Sequence, residues 1–232
     1  MRYAVLGTGA VGRALAGKLA SLGHEVAVGT RDPEATLARV GADAHGNPPV
    51  GEWLADHPQV RLLAFADAAE SAEVVVNATA GVDSLRALEA AGRDRLAGKI
   101  LIDVSNPLDF SRGMPPHLDP VDTDSLGERI QRTFPEAKVV KTLNTMNAQI
   151  MVDPSRVPGA HDVFVSGDDD GAKKTVAQLL MSFGWPEESV IDLGDITSAR
   201  GAEMVLPIWL RLMGSLGHLD FNFHIQSARP RA

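Results

Sequence analysis

The stretch that decides the fold runs from residue 2 to residue 32 and reads RYAVLGTGAVGRALAGKLASLGHEVAVGTRD. Tyr3 to Leu6 is a short apolar run closed by Gly7, which is typical of a strand buried in a parallel sheet. From Val11 to Leu22, apolar residues recur at spacings of three and four, and this period predicts a helix. The run from Glu25 to Val28 predicts a second strand. The stretch therefore predicts one strand–loop–helix–strand unit.

The loop between the first strand and the helix has the pattern G-x-G-x-x-G. Its residues are Gly7, Thr8, Gly9, Ala10, Val11 and Gly12. In this context the first glycine permits a tight turn, the second lets a pyrophosphate approach bare backbone, and the third lets the helix pack against the strand. The free N–H groups and the dipole of the helix N-terminus favour phosphates. The loop predicts a dinucleotide site, and a tight turn without a ligand is the alternative.

The end of the second strand indicates which dinucleotide is bound. Thr30 and Arg31 occupy the place where an NAD-dependent enzyme would carry an acidic residue. A threonine hydroxyl and a forked guanidinium suit a 2′-phosphate, so the pair favours NADP(H). Asp32 precedes Pro33, an order that predicts a helix N-cap. The alternative for Arg31 is a solvated surface charge.

Composition narrows the class of protein. The chain has 232 residues, 44% of them hydrophobic, a net charge of −8 and no cysteine. The lack of cysteine excludes disulfides, thiolate metal sites and a cysteine nucleophile. The acidic balance argues against nucleic acid as a partner. Since no apolar run is long enough to span a membrane and Met1 leads directly into the first predicted strand, we expect no signal peptide, no membrane contact and a cytoplasmic location.

Strands and helices alternate along the chain, which predicts an α/β fold: a Rossmann-type, doubly wound, mostly parallel sheet with a small C-terminal α/β extension. Further strands are predicted at Arg61 to Phe65, Glu73 to Asn77, Lys99 to Val104, Lys138 to Leu143, Asp162 to Ser166 and Ser189 to Leu193.

Three segments are predicted to depart from this alternation. Residues 41–58 are rich in glycine and proline and should form a surface insertion, in which Trp53 and Leu54 are either a flap over the adenine end or a small satellite core. Residues 109–124 form a proline-rich loop whose length is typical of a lid or of disorder. Residues 202–219 predict one helix that is apolar on nearly every side; we expect it at a homodimer interface, with core packing as the alternative.

Small and amide side chains follow three predicted strands, at the edge where open α/β sheets bind ligands. They are Asn77, Ala78 and Thr79, then Asn106 and Pro107, then Asn144, Met146 and Asn147. The alternatives are plain turns and, for the last group, a helix cap. Lys141 lies inside an apolar strand, where we expect an exposed or snorkelling side chain. No histidine has metal-ligand spacing, so no metal site is predicted.

The motifs GTGAVG with GTR, VVVNATAG, LIDVSNPLD and KTLNTMNA occur in this order. In this respect the chain resembles the NADPH-dependent deazaflavin-coenzyme (factor 420) reductases over roughly residues 1–153. The resemblance implies an oxidoreductase in which residues 1–150 hold NADP(H), residues 151–232 complete the second-substrate crevice, and hydride passes between the nicotinamide and a 5-deazaflavin. It assigns NADP(H) to Gly7 through Gly12, Thr30, Arg31, Asn77, Ala78, Thr79, Asn106 and Pro107, and the second substrate to Asn144, Met146 and Asn147.

Two other functions remain open from the sequence. A reductase or dehydrogenase of a small metabolite would need a lysine, histidine or tyrosine that transfers a proton near the nicotinamide. A non-catalytic NADPH sensor would use the apolar C-terminal helix to bind a protein partner. No catalytic residue is assigned, because hydride transfer between two cofactors needs positioning and exclusion of water rather than a nucleophile or a metal.

Overall fold

The computed structural model describes residues 1–42 and 46–228. Its strands are β1 Arg2–Leu6, β2 Glu25–Thr30, β3 Val60–Ala64, β4 Val74–Asn77, β5 Ile100–Asp103, β6 Leu108–Asp109, β7 His117–Leu118, β8 Lys138–Thr142, β9 Val163–Ser166 and β10 Val190–Asp192. Eight of them form one sheet in the order β10-β9-β8-β5-β4-β1-β2-β3, and β6 pairs with β7. Neighbours in the large sheet are parallel except β8 and β9. The predicted doubly wound, mostly parallel sheet is confirmed.

Helices cover both faces of this sheet. They are α1 Ala10–Ser21, α2 Pro33–Leu37, α3 Val50–Ala55, α4 Phe65–Ser71, α5 Gly81–Ala91, α6 Arg93–Leu96, α7 Leu126–Thr133, α8 Ala148–Val152, α9 Asp170–Phe183, α10 Ala199–Met204 and α11 Leu206–Leu216. Successive strand residues point to opposite faces, so Tyr3 and Val5 join the apolar cluster beneath α1 and α9, while Ala4 and Leu6 join the cluster beneath α4 and α7. Two cores therefore hold the sheet between them.

The predicted irregular insertion at residues 41–58 is only partly irregular. Residues 43–45 lie outside the described residues, but α3 occupies Val50–Ala55. Trp53 stacks on His57, with 4.1 Å between ring centroids, and both rings would meet a Cβ built on Gly17. Trp53 therefore packs against α1 at the edge of the main apolar cluster of that face, and it forms neither a separate satellite core nor a flap.

Three other boundaries differ from the prediction. Phe65 begins α4 instead of ending a strand, and this helix was not predicted. The loop at residues 109–124 contains β7, which pairs antiparallel with β6. The apolar C-terminal helix is divided into α10 and α11 at Val205, two residues before Pro207, which has no backbone N–H to donate to the Glu203 carbonyl oxygen. Helix α11 is mostly solvent-accessible, since Leu206 is its only buried residue in the described chain.

The helix cap predicted at Asp32 is confirmed, and a second cap of the same kind occurs at Asp169. The Asp32 carboxylate accepts a hydrogen bond of 2.9 Å from the Ala35 amide, and Asp169 accepts one of 2.7 Å from the Ala172 amide. Both caps satisfy amides that the helix leaves free. The carboxylate of Asp32 is thereby turned toward α2, as the sequence indicated.

Acid sensitivity is expected at Asp124, which accepts hydrogen bonds from Arg132 and Arg129. Its pKa is lowered from 3.8 to about 2, mainly by Arg132. A group with a lowered folded-state pKa adds stability above the unfolded pKa and loses it as pH falls through the folded value. Because solvent screens this partly exposed site, we expect Asp124→Asn to cost about 1 kcal/mol at pH 7 and nothing near pH 2. Urea unfolding of both proteins at several pH values checks this; a pH-independent difference contradicts it.

Candidate functional site

The glycine loop brings the start of α1 to the carboxyl ends of β1 and β4. Gly7 has φ +123°, and a Cβ on it would lie 2.5 Å from the Ala78 carbonyl oxygen. A Cβ on Gly12 would lie 2.1 Å from the Gly7 carbonyl oxygen, whereas one on Gly9 would meet no atom within 4 Å. The turn and the helix packing thus require Gly7 and Gly12, and Gly9 faces open space. In the part of the chain that the structure describes, no side chain caps the N-terminus of α1. Such an uncapped terminus beside bare backbone fits a phosphate group.

Two cavities open on this loop, and we name each after one lining residue. The Arg31 cavity encloses about 300 Å³, and the Trp209 cavity encloses about 480 Å³. Both are lined by Gly9, Ala78, Thr79 and Ala80. They therefore form one crevice across the point where the strand order reverses, between β1 and β4, which is where doubly wound sheets bind ligands.

The Arg31 cavity is the more cationic end. Arg31 is exposed and, within residues 1–42 and 46–228, its side chain makes no hydrogen bond or ion pair. Arg86, on α5, lines the same cavity but is paired with Asp83. An unpaired guanidinium in a cavity that also contains Gly7 and the helix N-terminus is available to an anion such as a 2′-phosphate. The sequence had indicated Arg31 but not Arg86.

The Trp209 cavity is apolar with a few amides and hydroxyls. Its remaining lining residues are Ala10, Val11, Asn47, Gly81, Val82, Val104, Ser105, Asn106, Leu108, Phe110, Asn144, Met146, Met151, Leu206 and Trp209. None of the described residues that line this cavity has an ionisable side chain. Val82 and Phe110 are 65% and 54% exposed, so large apolar groups stand at its mouth. Such walls suit a flat ring system better than a small charged metabolite.

Asn106 and Asn144 form a reciprocal pair in one wall of this cavity. The Asn106 amide nitrogen donates to the Asn144 carbonyl oxygen at 2.8 Å, and the Asn144 amide nitrogen donates to Asn106 Oδ1 at 3.0 Å. Asn144 also donates to the Ala202 carbonyl oxygen at 3.1 Å. The preceding Leu143 has φ +62°, a left-handed conformation that is costly for a bulky residue. The left-handed turn at Leu143 follows β8 and leads into Asn144 and Met146, which line the cavity.

Five of the predicted site residues lie away from the two cavity surfaces, and the first is Gly12, which packs against the Gly7 carbonyl oxygen. The Asn77 side chain is fully buried and donates to Asp103 at 2.9 Å and to Ser84 at 3.0 Å. The Thr30 hydroxyl is buried and shares a hydrogen bond of 2.8 Å with Thr36. Asn147 caps α8 by accepting from Gln149, and Pro107 is buried behind the wall. These residues support the crevice, and the other predicted residues form its surface.

A buried row of polar side chains lies behind that surface. The strand register places Asn77, Asp103 and Lys141 side by side on β4, β5 and β8. The expectation that Lys141 is exposed or snorkelling is wrong, because its side chain is 0% exposed and pairs at 2.8 Å with both Asp103 and Glu203. Burial alone would lower the pKa of Lys141, but the two carboxylates outweigh it and raise the pKa above its usual value. Lys141 therefore stays protonated.

C-terminal elements form part of the Trp209 cavity, including the apolar helix that we expected at a homodimer interface. Leu206 and Trp209, on α11, line it, and Trp209 stacks on Phe221 with 5.4 Å between ring centroids. The tail beyond Phe221 is fixed to β9, because the Asp162 amide donates to the Phe223 carbonyl oxygen at 2.8 Å. Within the described chain, the buried indole N–H of Trp209 has no acceptor. A donor without a partner in a cavity wall is open to a ligand's acceptor.

The structure also bears on metals and membranes. In residues 1–42 and 46–228, no three His, Asp or Glu side chains come together as metal ligands would. Over the same ranges, no helix has the length and apolar character needed to cross a membrane.

Comparison with known proteins adds to this geometry. The family model described as "NADP oxidoreductase coenzyme F420-dependent" matches residues 2–107. A crystal structure from Arthrobacter sp. FB24, of a candidate F420-dependent NADP-reductase, is 65% identical with a TM-score of 0.93, and the match covers 98% of this chain and 100% of that one.

Two curated proteins are more distant. The F420-dependent NADP reductase of Methanothermobacter marburgensis is 29% identical over 217 residues, which are 91% of this chain and 92% of the reductase. Metalloreductase STEAP3 of Rattus norvegicus is 29% identical over 212 residues; the match covers 90% of this chain but only 38% of that protein. Since the 65% identical relative is matched over its whole length, the chain belongs to the family of coenzyme F420-dependent NADP oxidoreductases and is an NADP-dependent oxidoreductase.

Proposed function

We propose that the protein transfers hydride between NADP(H) and a 5-deazaflavin coenzyme (factor 420) that occupies the Trp209 cavity. The observation that carries this proposal is a 480 Å³ cavity beside the glycine loop, with apolar, amide and hydroxyl lining and no ionisable side chain among its described residues. Hydride exchange between two aromatic ring systems needs a dry, shaped space that holds the rings together. The names of the Methanothermobacter reductases, at 29% identity, point to the same pair of cofactors.

NADP(H) is proposed to lie across both cavities. The 2′-phosphate end would lie in the Arg31 cavity, the pyrophosphate at Gly9 and the amides that open α1, and the nicotinamide in the Trp209 cavity. Of the predicted residues, Gly7, Thr8, Gly9, Arg31, Ala78 and Thr79 line the Arg31 cavity, while Ala10, Val11 and Asn106 line the Trp209 cavity. Gly12 acts through the close packing of α1.

The second ring system is proposed to lie against Asn144 and Met146. Residues 151–232 would complete its crevice, since Met151, Leu206 and Trp209 supply part of the wall. The unpartnered indole N–H of Trp209 would be satisfied by a ring carbonyl or ring nitrogen. Exposed Phe110 would cover the ring from the β6–β7 side.

The buried network argues against reduction of a small carbonyl or imine substrate. Such chemistry needs a group that gives up a proton near neutral pH. Lys141 holds its proton, and Asp103, Glu203 and the Ser105 carbonyl oxygen accept its three N–H bonds. Ser105 lines the cavity, and its hydroxyl donates its own proton to Asp103 at 2.6 Å. The nearest candidates for a general acid are thus already engaged.

The direct test mixes the enzyme, NADPH and oxidised deazaflavin without oxygen. We expect the deazaflavin absorption band to bleach in step with loss of NADPH, over many turnovers. A shallow pH profile is expected, because no ionisable side chain from residues 1–42 and 46–228 lines the cavity. If NADPH binds but the deazaflavin band does not bleach, the proposal fails, and turnover with a carbonyl or imine would support the metabolite reductase instead.

Asn144→Ala is expected to slow hydride transfer by roughly tenfold, because it removes the hydrogen bonds to Asn106 and to the Ala202 carbonyl oxygen. The NADPH affinity should stay within about twofold, because Asn144 does not line the Arg31 cavity. Single-turnover kinetics and an NADPH fluorescence titration measure the two effects. Asn147→Ala is the matched control: it removes only the α8 cap, at about 1 kcal/mol of stability, and should leave the transfer rate unchanged. Equal slowing in both variants would contradict the assignment of Asn144.

We also propose that the protein is a homodimer in which α11 meets a second copy. Within this helix, Ile208 is 55% exposed and Leu216 is 48% exposed, and Leu210, Leu212 and Met213 are only partly covered. An apolar face of this kind is typical of an interface between subunits. Sedimentation equilibrium should give a dimer for the natural chain and a monomer for Ile208→Glu. A natural chain that sediments as a monomer at tens of micromolar would exclude this interface.

A further inference from the structure

Lys141 is a buried cation that contacts three parts of the chain at once. Its ammonium group lies 2.8 Å from Asp103 Oδ2, 2.6 Å from the Ser105 carbonyl oxygen and 2.8 Å from Glu203 Oε1. An ammonium has three N–H bonds, so every one of them has an acceptor. None of these groups takes part in the hydride transfer proposed above.

One side of this contact fixes the turn that follows β5. Asp103 Oδ1 accepts hydrogen bonds from the Ser105 amide at 3.2 Å and from the Ser105 hydroxyl at 2.6 Å. Lys141 binds both the Asp103 carboxylate and the Ser105 carbonyl. Ser105 and Asn106 are lining residues of the Trp209 cavity. Lys141 thereby holds one wall of that cavity.

The other side fixes the C-terminal helices. The Glu203 carboxylate accepts hydrogen bonds from the Leu126 amide at 2.9 Å and the Gly127 amide at 3.1 Å, which are the first amides of α7. Three residues beyond Glu203 the chain reaches Leu206, which lines the Trp209 cavity together with Trp209. The pairing of Lys141 with Glu203 therefore holds a second part of the wall, which contains Leu206 and Trp209.

Removing three charged groups from water is costly, and apolar residues of similar size often give equal or greater stability. A buried charged cluster is better explained by what it fixes in space than by the stability it adds. We propose that Lys141 is a positioning residue that sets the separation between the Ser105–Asn106 wall and the Leu206–Trp209 wall, and thereby the fit of the second ring system. This inference rests on the proposed function for the identity of that ring system.

The test compares Lys141→Met and Glu203→Gln with the natural chain. Glu203→Gln keeps the Lys141–Asp103 pair and an acceptor for α7, so it remains informative if Lys141→Met does not fold. Lys173→Met is the matched control, because Lys173 is also a largely buried lysine, paired with Asp170 and Asp192, but lines neither cavity. Thermal unfolding shows which variants are folded.

Two readouts separate a positioning role from general damage. The first is kcat/KM for the deazaflavin at saturating NADPH. The second is the Kd of adenosine 2′,5′-bisphosphate, which probes the Arg31 cavity alone. We expect Glu203→Gln and Lys141→Met to lower kcat/KM by roughly tenfold or more while the bisphosphate Kd stays within about twofold. Lys173→Met should change neither value. The double variant Lys141→Met, Glu203→Gln should be little worse than Lys141→Met, because the two residues act through one contact.

Two results would overturn the proposal: an unchanged kcat/KM in a folded Glu203→Gln or Lys141→Met variant, or a bisphosphate Kd that rises in proportion to the loss of kcat/KM. If the natural chain does not turn over the deazaflavin at all, the proposed function fails instead. Positioning is then decided by the ratio of the NADPH Kd to the bisphosphate Kd, since the nicotinamide half enters the Trp209 cavity. A rise of roughly tenfold in this ratio supports the proposal, and an unchanged ratio overturns it.

Discussion

Gly9→Ala is expected to weaken NADPH binding by roughly 100-fold, about 2.7 kcal/mol, while the protein stays folded. A Cβ on Gly9 meets no protein atom within 4 Å, and Gly9 has an ordinary extended backbone (φ −74°, ψ −176°), so alanine fits the empty protein. The same Cβ would stand where a pyrophosphate must approach the start of α1. The free energy of unfolding should change by less than about 1 kcal/mol, the usual range for a changed N-cap.

Gly12→Ala is the matched variant, in which the added methyl group clashes with the protein itself and not with the bound pyrophosphate. Its Cβ would lie 2.1 Å from the Gly7 carbonyl oxygen, a backbone atom that no rotamer change can move away. Overpacking of this kind typically costs about 1–3 kcal/mol, so Gly12→Ala should lose both stability and NADPH binding. Isothermal titration with NADPH and urea unfolding measure the two properties. NADPH binding by Gly9→Ala at the natural affinity would contradict the placement of the pyrophosphate.

Arg31→Ala should weaken NADPH by roughly tenfold to 100-fold and leave NADH almost unchanged, because a charge-assisted hydrogen bond to a 2′-phosphate contributes about 1.5–3 kcal/mol. The structure supports this large effect. Arg31 is exposed in the cavity and, in the described chain, no carboxylate neutralises it. Thr30, which the sequence paired with it, is engaged by Thr36 and should contribute little.

Arg39→Ala is the control for the loss of one positive charge, since Arg39 is also exposed but lines neither cavity. Dissociation constants for NADPH and NADH, measured at one ionic strength for all three proteins, give the selectivity directly. Equal weakening of both cofactors by Arg31→Ala would remove the basis for NADP selectivity at this position.

Much of the fold could be predicted because its signals are local. A run such as Tyr3 to Leu6, the glycine loop and the helical period after Val11 each indicate their own structure without reference to distant parts of the chain. The elements that were missed lack such a signal. Helix α3 has fewer than two turns and follows two prolines, and the sequence before α4 continues as an apolar strand would. Short elements of this kind depend on what packs against them.

The site was predictable where the backbone forms it and less so where side chains meet across strands. Gly9 and Ala78 follow from position in the motif. By contrast, Asn77, Asp103 and Lys141 are neighbours only because of the register of three strands. That register cannot be read from the sequence. A lysine in an apolar strand predicts exposure because an unpaired buried charge is so costly, and its partner Glu203 lies far along the chain. The sequence around Trp209 indicated an apolar helix, but it did not indicate that Trp209 lines the cavity.

In the mechanism that we propose, hydride passes directly between the nicotinamide and the deazaflavin in the Trp209 cavity. The measurement that tests it most directly uses NADPH carrying deuterium at the transferable C4 position, oxidised deazaflavin and the enzyme in ordinary water, with the reduced deazaflavin analysed by mass spectrometry. The proposed arrangement predicts one deuterium in each reduced deazaflavin. Label found in the water, or NADPH oxidised while the deazaflavin stays unlabelled, would contradict it.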